Sequence, residues 1–257
     1  MINHKRIMSV AGHRGDSYNY FENTMRAFEL AYEAGADMIE TDVRLSSDLK
    51  LVLMHDERVD RTTNGSGKVG EMSFSELRVL NAGNEISPAK VPTLEELLCF
   101  SKDKDLTLNI EIKEYFSNGN EKRATLCIDK VLELVEKYEM GERILINSFD
   151  AAALEYVYKK HGKKYMLHGF YPYWEMGNVN INPDEYLYCA CVFQIKNKEN
   201  FEYLTARGIE PWIGASITQK DVLEYCIQNG AKLVTTNNPR DTISKIEEIA
   251  NNTRKKA

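Results

Sequence analysis

Short strand-like runs and amphipathic helix-like stretches take turns along the whole chain, and this alternation restricts the fold more than any other feature. Strand-like runs occupy residues 7–11, 38–43, 51–54, 106–113, 144–147, 164–168, 187–193, 209–213 and 232–235. Apolar residues at helical spacing fill residues 24–34, 93–100, 122–138, 151–161, 198–207, 218–229 and 241–250,. Repeated β-α units with short loops predict a parallel sheet, and eight such units close a barrel. The run at 51–54 is surplus, and is expected to pair locally with the end of the second strand. The expectation is an α/β fold, a (β/α)8 TIM barrel, as a single domain over residues 1–257. Its 257 residues, 43% of them hydrophobic, suffice for one full core, although the length also admits two small domains,.

One stretch breaks the rhythm. Residues 57–90 are rich in Gly, Ser, Asn and Thr and stand where a second helix is due. They read as a small insertion after the second barrel strand. Loops at the C-terminal ends of barrel strands build active sites, so the insertion is expected to border one. Residues 251–257 read as a polar tail.

Barrel strands have one face on the core and the other on helices, so a charge there must be paired or must coordinate a metal. Glu40 and Asp42 are two apart on the second run and share a face,. Asn109, Glu111 and Lys113 share a face of the run at 106–113. His13 follows the first run and His55 ends the one at 51–54. Close carboxylates repel unless something positive lies between them, and oxygen donors suit Mg²⁺ or Ca²⁺. Lys113 supplies a cation that can neutralise Glu111 or meet a phosphate.

These residues fall in a recognisable order: His13-Arg14-Gly15, Glu22-Asn23-Thr24, a Gly-Ala-Asp-x-Ile-Glu-x-Asp-Val run at 35–43, His55-Asp56, and Glu111-Ile112-Lys113. The order resembles the glycerophosphodiester phosphodiesterase family, with weaker echoes at 91–96, 147–150 and Trp212. Two places depart from the family pattern. Residues 213–216 replace a Thr-Val-Asn run, and Asn237 stands where an Asp is common. The resemblance implies metal-dependent hydrolysis of a small-molecule glycerophosphodiester to glycerol 3-phosphate and an alcohol. It assigns one divalent metal ion, Mg²⁺ or Ca²⁺, to Glu40, Asp42 and Glu111. It gives the acid and base roles to His13 and His55, whose imidazoles titrate near neutral pH. Arg14, turned back by Gly15, and Lys113 would grip the phosphate, and Trp212 would wall the pocket or pack in the core. A phospholipase D-like enzyme on the same scaffold, or a barrel that binds such diesters without cleaving them, are the alternatives.

Composition narrows the setting. A net charge of −6 and a pI near 5.5 argue against a nucleic-acid partner,. No apolar run approaches the ~20 residues of a membrane span, and no apolar stretch follows the basic residues at the start, so neither membrane insertion nor a signal peptide is expected,. The five cysteines, Cys99, Cys127, Cys189, Cys191 and Cys226, show no metal-binding spacing and read as buried, reduced thiols of a cytoplasmic protein,.

Overall fold

The computed structural model describes residues 2, 4–104 and 106–256. Nine strands form one sheet: β1 (Ser9–His13), β2 (Met38–Leu45), β3 (Leu51–Leu53), β4 (Thr107–Ile112), β5 (Ile144–Asn147), β6 (Met166–Tyr171), β7 (Cys189–Val192), β8 (Glu210–Ile213) and β9 (Leu233–Thr236). Strand β1 pairs in parallel with both β2 and β9, which closes a barrel of eight parallel strands. The ninth, β3, runs antiparallel to the far end of β2, with Val43 opposite Leu53. The surplus run therefore pairs locally, as the alternation implies.

Eight helices accompany the strands among the described residues: α1 (Met25–Glu33), α2 (Phe74–Arg78), α3 (Leu94–Lys102), α4 (Glu121–Lys137), α5 (Ala151–His161), α6 (Lys198–Ala206), α7 (Lys220–Gln228) and α8 (Pro239–Lys256). Their ends follow local chemistry. Thr24 caps α1, and Thr93 with Glu96 forms a reciprocal capping box at α3,. Helix α4 buries Ala124, Cys127, Ile128, Val131 and Val135, a stripe at helical spacing,. The stripe packs on outward strand residues such as Leu108, Ile110 and Ile112. Inside the barrel, Ala11, Met38, Leu145, Cys189, Trp212 and Leu233 form a separate apolar plug. Above the plug, the interior positions turn polar.

Two expectations change, and the inserted segment gains detail. Residues 57–90 carry structure of their own, including a 3-10 turn at Val69–Glu71 and helix α2, capped by Ser73 and Glu76. Val52, Met54, Val59, Val69, Leu77, Ala82 and Val91 form a satellite core beneath this segment. The Gly and Ser content hid these spaced apolar residues. Residues 251–256 continue α8 rather than trailing as a tail. Cys99 is exposed, whereas the other four cysteines are buried.

The separate core makes a testable point. Leu77 is fully buried in it, and Leu77→Ala should cost about 2–5 kcal/mol locally. Amide exchange should accelerate across residues 57–90 while protection in β4 and α4 stays unchanged. Equal loss of protection in both places would show one cooperative core.

Candidate functional site

The parallel register gathers the charged residues. His13 lies opposite Glu40, and Asp42 lies opposite Glu111. Glu40, Asp42 and Glu111 are all buried, and each contributes an oxygen to a set lying within 4.8 Å of one another. Burial and the charges of Asp42 and Glu111 push the Glu40 carboxyl well above its usual range. Burial also raises Glu111, against the opposing charge of Lys113. Asp42 moves the other way. Burial would raise it, but Lys113 and then Arg14 hold it below the ordinary carboxylate range.

Both cations are built in. Lys113 Nζ bonds to Glu111 and lies 3.2 Å from Asp42 Oδ1. The two carboxylates drive the Lys113 ammonium upward against the cost of burial. Arg14 follows β1 and would point away on an extended chain. Instead its φ is +56° and that of Gly15 is +85°. A Cβ at Gly15 would sit 2.5 Å from the Ala27 carbonyl carbon, so only glycine completes this turn,. The reversal brings Arg14 N to within 3.0 Å of Glu40 Oε2 and its guanidinium to Glu22 at 2.7 Å. Arg14 Nε stands 3.2 Å from Asp42 Oδ2 yet lacks an aligned hydrogen-bond acceptor.

Each histidine has one nitrogen fixed. His13 Nδ1 donates to Asn237 Oδ1 at 2.7 Å, which leaves Nε2 facing Glu40 Oε2 at 3.9 Å. His55 Nδ1 donates to Asp56 Oδ1 at 2.6 Å. Burial lowers both imidazoles below their usual range. Arg14 adds to the effect at His13, and Asp56 opposes it at His55. Both rings are thus neutral near pH 7, with a free nitrogen for proton exchange.

Trp212 is placed elsewhere. It is fully buried in the interior plug, its indole N–H donates to Glu210, and its ring packs 4.8 Å from His168. It supports the barrel floor and exposes no face to the space above the carboxylates. His168 is buried too. Desolvation drives its pKa down to about 3, and Asn109 bonds its Nδ1.

Two further residues contribute that the sequence had not assigned to the site. Asn23 is buried and donates to Asp42 Oδ2 at 2.8 Å while accepting from Thr41. Arg61, in the insertion, reaches Asp56 at 2.7 Å and Glu22 at 2.8 Å. It therefore links the partner of His55 to the partner of Arg14. Asn23 carried a signal, a polar residue just before a helix cap, but Arg61 carried none. Phe149 and Phe170 stack at 3.6 Å across the mouth, with Phe193 beside them and Lys113 Nζ 5.8 Å from the Phe149 ring.

Residues 13–186 match the profile of the Glycerophosphoryl diester phosphodiesterase family. A glycerophosphodiester phosphodiesterase of Caldanaerobacter subterraneus subsp. tengcongensis is 34% identical over 251 residues, covering 93% of this chain and 98% of that protein. The crystal structure of a glycerophosphodiester phosphodiesterase from Thermotoga maritima superposes with a TM-score of 0.74 at 29% identity, over 92% of this chain and 97% of that one. An Oleispira antarctica phosphodiesterase, solved in complex with the product sn-glycerol-3-phosphate, shares the fold with a TM-score of 0.78 at 22% identity, over 93% and 96% of the two chains.

The charge balance can be tested without any substrate. Lys113→Met should destabilise the chelator-treated protein by about 3 kcal/mol at pH 8, because two buried carboxylates lose their cation. Wild-type stability from Asp42, whose carboxyl is held low, is present above the unfolded carboxylate range and fades as acid protonates it. The variant lacks that contribution, so denaturation midpoints of the two proteins should stay apart down to about pH 4 and converge only below it. A gap that widens in acid would contradict the role given to Lys113.

Proposed function

Since the chain belongs to the glycerophosphoryl diester phosphodiesterase family, we propose that it hydrolyses glycerophosphodiesters to glycerol 3-phosphate and an alcohol with one divalent cation, Mg²⁺ or Ca²⁺. The observation that carries this reading is the convergence of three buried carboxylates beside two strand-end imidazoles. Glu40, Asp42 and Glu111 would hold the cation. The fit is chemical. All three are hard oxygen donors, Glu40 is driven up by burial and by its anionic neighbours, and Asp42 Oδ1 accepts no aligned hydrogen bond,. When bound, the cation supplies positive charge that offsets charge developing on the phosphoryl oxygens.

The protein's own groups would do the rest. Arg14 Nε, lacking an aligned acceptor, and the Lys113 ammonium would orient the phosphoryl oxygens,. One neutral imidazole takes the proton of the attacking oxygen at Nε2, and the other, which must first take up a proton from solvent at its own Nε2, gives that proton to the leaving alkoxide. His13 and His55 divide these two tasks. Asn237 and Asp56 support this by fixing each Nδ1 as a donor, which turns each Nε2 toward the substrate. Residues 57–90 would border the site through Arg61 and wall the alcohol side. The substrate is a small molecule and not a nucleic acid, in keeping with the acidic net charge. No helix among the described residues is long and apolar enough to cross a membrane. The five free cysteines support a cytoplasmic setting,.

Two measurements bear on this. Chelation should abolish phosphodiester hydrolysis, and Mg²⁺ or Ca²⁺ should restore it. Glu111→Gln should weaken cation binding seen by calorimetry. Full turnover in a verified metal-free preparation would refute the metal's role. Separately, His13→Ala and His55→Ala should each lower kcat by roughly 10²-fold or more, with thermal unfolding little changed, because strand-end residues of barrels serve chemistry more than stability. Near-normal turnover in either variant would remove that histidine from the mechanism.

A further inference from the structure

A cavity of about 530 Å³ opens between the inserted segment and the chain leaving β4. Its lining includes Arg44, whose Nε and Nη2 donate to the His55 carbonyl at 3.0 and 2.8 Å and whose Nη1 donates to the Lys113 carbonyl at 3.2 Å. One guanidinium therefore ties the backbones of two site residues to this hollow. Lys113 also lines the cavity, and its ammonium lies on Asp42 and Glu111. Of the residues given roles above, Lys113 is the one that the cavity lining shares with the site.

We propose that this cavity receives the alcohol half of the diester and selects an uncharged, hydroxyl-rich alcohol. The inference rests on the function proposed above and adds to it the class of leaving group. Its basis is the charge pattern of the walls. Lys68 pairs with Glu57 at 3.0 Å and Arg123 with Glu114 at 3.0 Å, so these charges cancel. Among the described residues Arg44 donates to the His55 and Lys113 carbonyls, and each of its terminal nitrogens carries a second N–H beyond the one so used,.

Each rival class of alcohol meets an obstacle. A quaternary ammonium group is best held by a cage of aromatic faces. Among the lining residues only Tyr115 is aromatic, so the walls offer no such cage. A phosphorylated alcohol would find Lys68 and Arg123 already paired with carboxylates, and Glu71 adds a further carboxylate to the wall that carries Arg44. An aliphatic alcohol would meet a wall of charged and polar groups in which Val69 is the one aliphatic residue. Hydroxyls both donate and accept, which matches walls of guanidinium N–H, carboxylate and phenol.

Gly70 provides a probe that touches no group of the proposed chemistry. It lines the cavity, its φ is not in the left-handed region, and a Cβ there would stand 3.1 Å from a terminal nitrogen of Arg123. Gly70→Leu should fill part of the space, and the Arg123 guanidinium, which donates to Glu114 and to the Leu45 carbonyl, must shift to admit it. The experiment measures kcat/KM of wild type, Gly70→Ala and Gly70→Leu on three diesters that differ only in the alcohol: glycerol, choline and methanol. Wild type should prefer the glycerol diester to the choline diester by about tenfold or more, the scale expected where pocket groups hydrogen-bond the substrate. Gly70→Leu should lose at least about tenfold on the glycerol diester and stay within about twofold on the methyl diester, whose alcohol is too short to enter. Retained turnover of the methyl diester also shows that the variant is folded. A wild-type preference for choline would overturn the inference, as would an equal loss on all three diesters. The latter pattern would place the shared glycerol half in the cavity, with the proposed function intact. No hydrolysis of any of the three by wild type, with either metal present, would overturn the function and this inference together.

Discussion

The site depends on one electrostatic arrangement: a lysine and an arginine inserted among three carboxylates inside a barrel. Glu40, Asp42 and Glu111 are buried together, and three like charges at that spacing would oppose folding if left alone. Lys113 and Arg14 make the cluster tolerable by taking Asp42 as a shared partner. The compensation is incomplete. Glu40 stays pushed toward its protonated form while Asp42 is held ionised. A cluster that is nearly, but not fully, neutralised by its own protein is poised to gain from one more positive charge.

Strand geometry makes that arrangement possible. Parallel register sets Asp42 beside Glu111 and His13 beside Glu40 without any loop having to find its place. Alternation along each strand then sends Ile39, Val43, Ile110 and Ile112 outward to the helices, while their neighbours face inward. The interior is graded from an apolar plug containing Trp212, through neutral polar residues such as Asn109 and His168, to the charges at the mouth. Polarity thus rises toward the end where solvent and substrate enter, which limits the desolvation cost to a single layer.

Much of this was legible in the sequence because it follows from periods of two and of 3.6 residues. The barrel, the local pairing of the surplus strand and the shared face of Glu40 and Asp42 all follow from spacing. The reading was weaker where contacts depend on a turn or on distant segments. Arg61 meets Glu22 across 39 positions, and Asn237 meets His13 across 224. No local pattern encodes either. Trp212 shows a related limit. A tryptophan on a barrel strand can face a ligand or the plug, and only the strand's phase relative to Glu210 decides. The inserted segment was underread because its apolar residues are spread among glycines and serines, too sparse to show a period.

The bond between His13 and Asn237 also orders events in time. The charged residues of the site lie within the first 113 positions, so ribosomal synthesis delivers them before half of the chain exists. Strand β1 then waits with one edge unpaired until β9 emerges and closes on it,. Asn237, at the end of that last strand, arrives at the same moment and sets the imidazole made more than 200 residues earlier. A nascent chain therefore carries its carboxylates throughout translation without a completed centre.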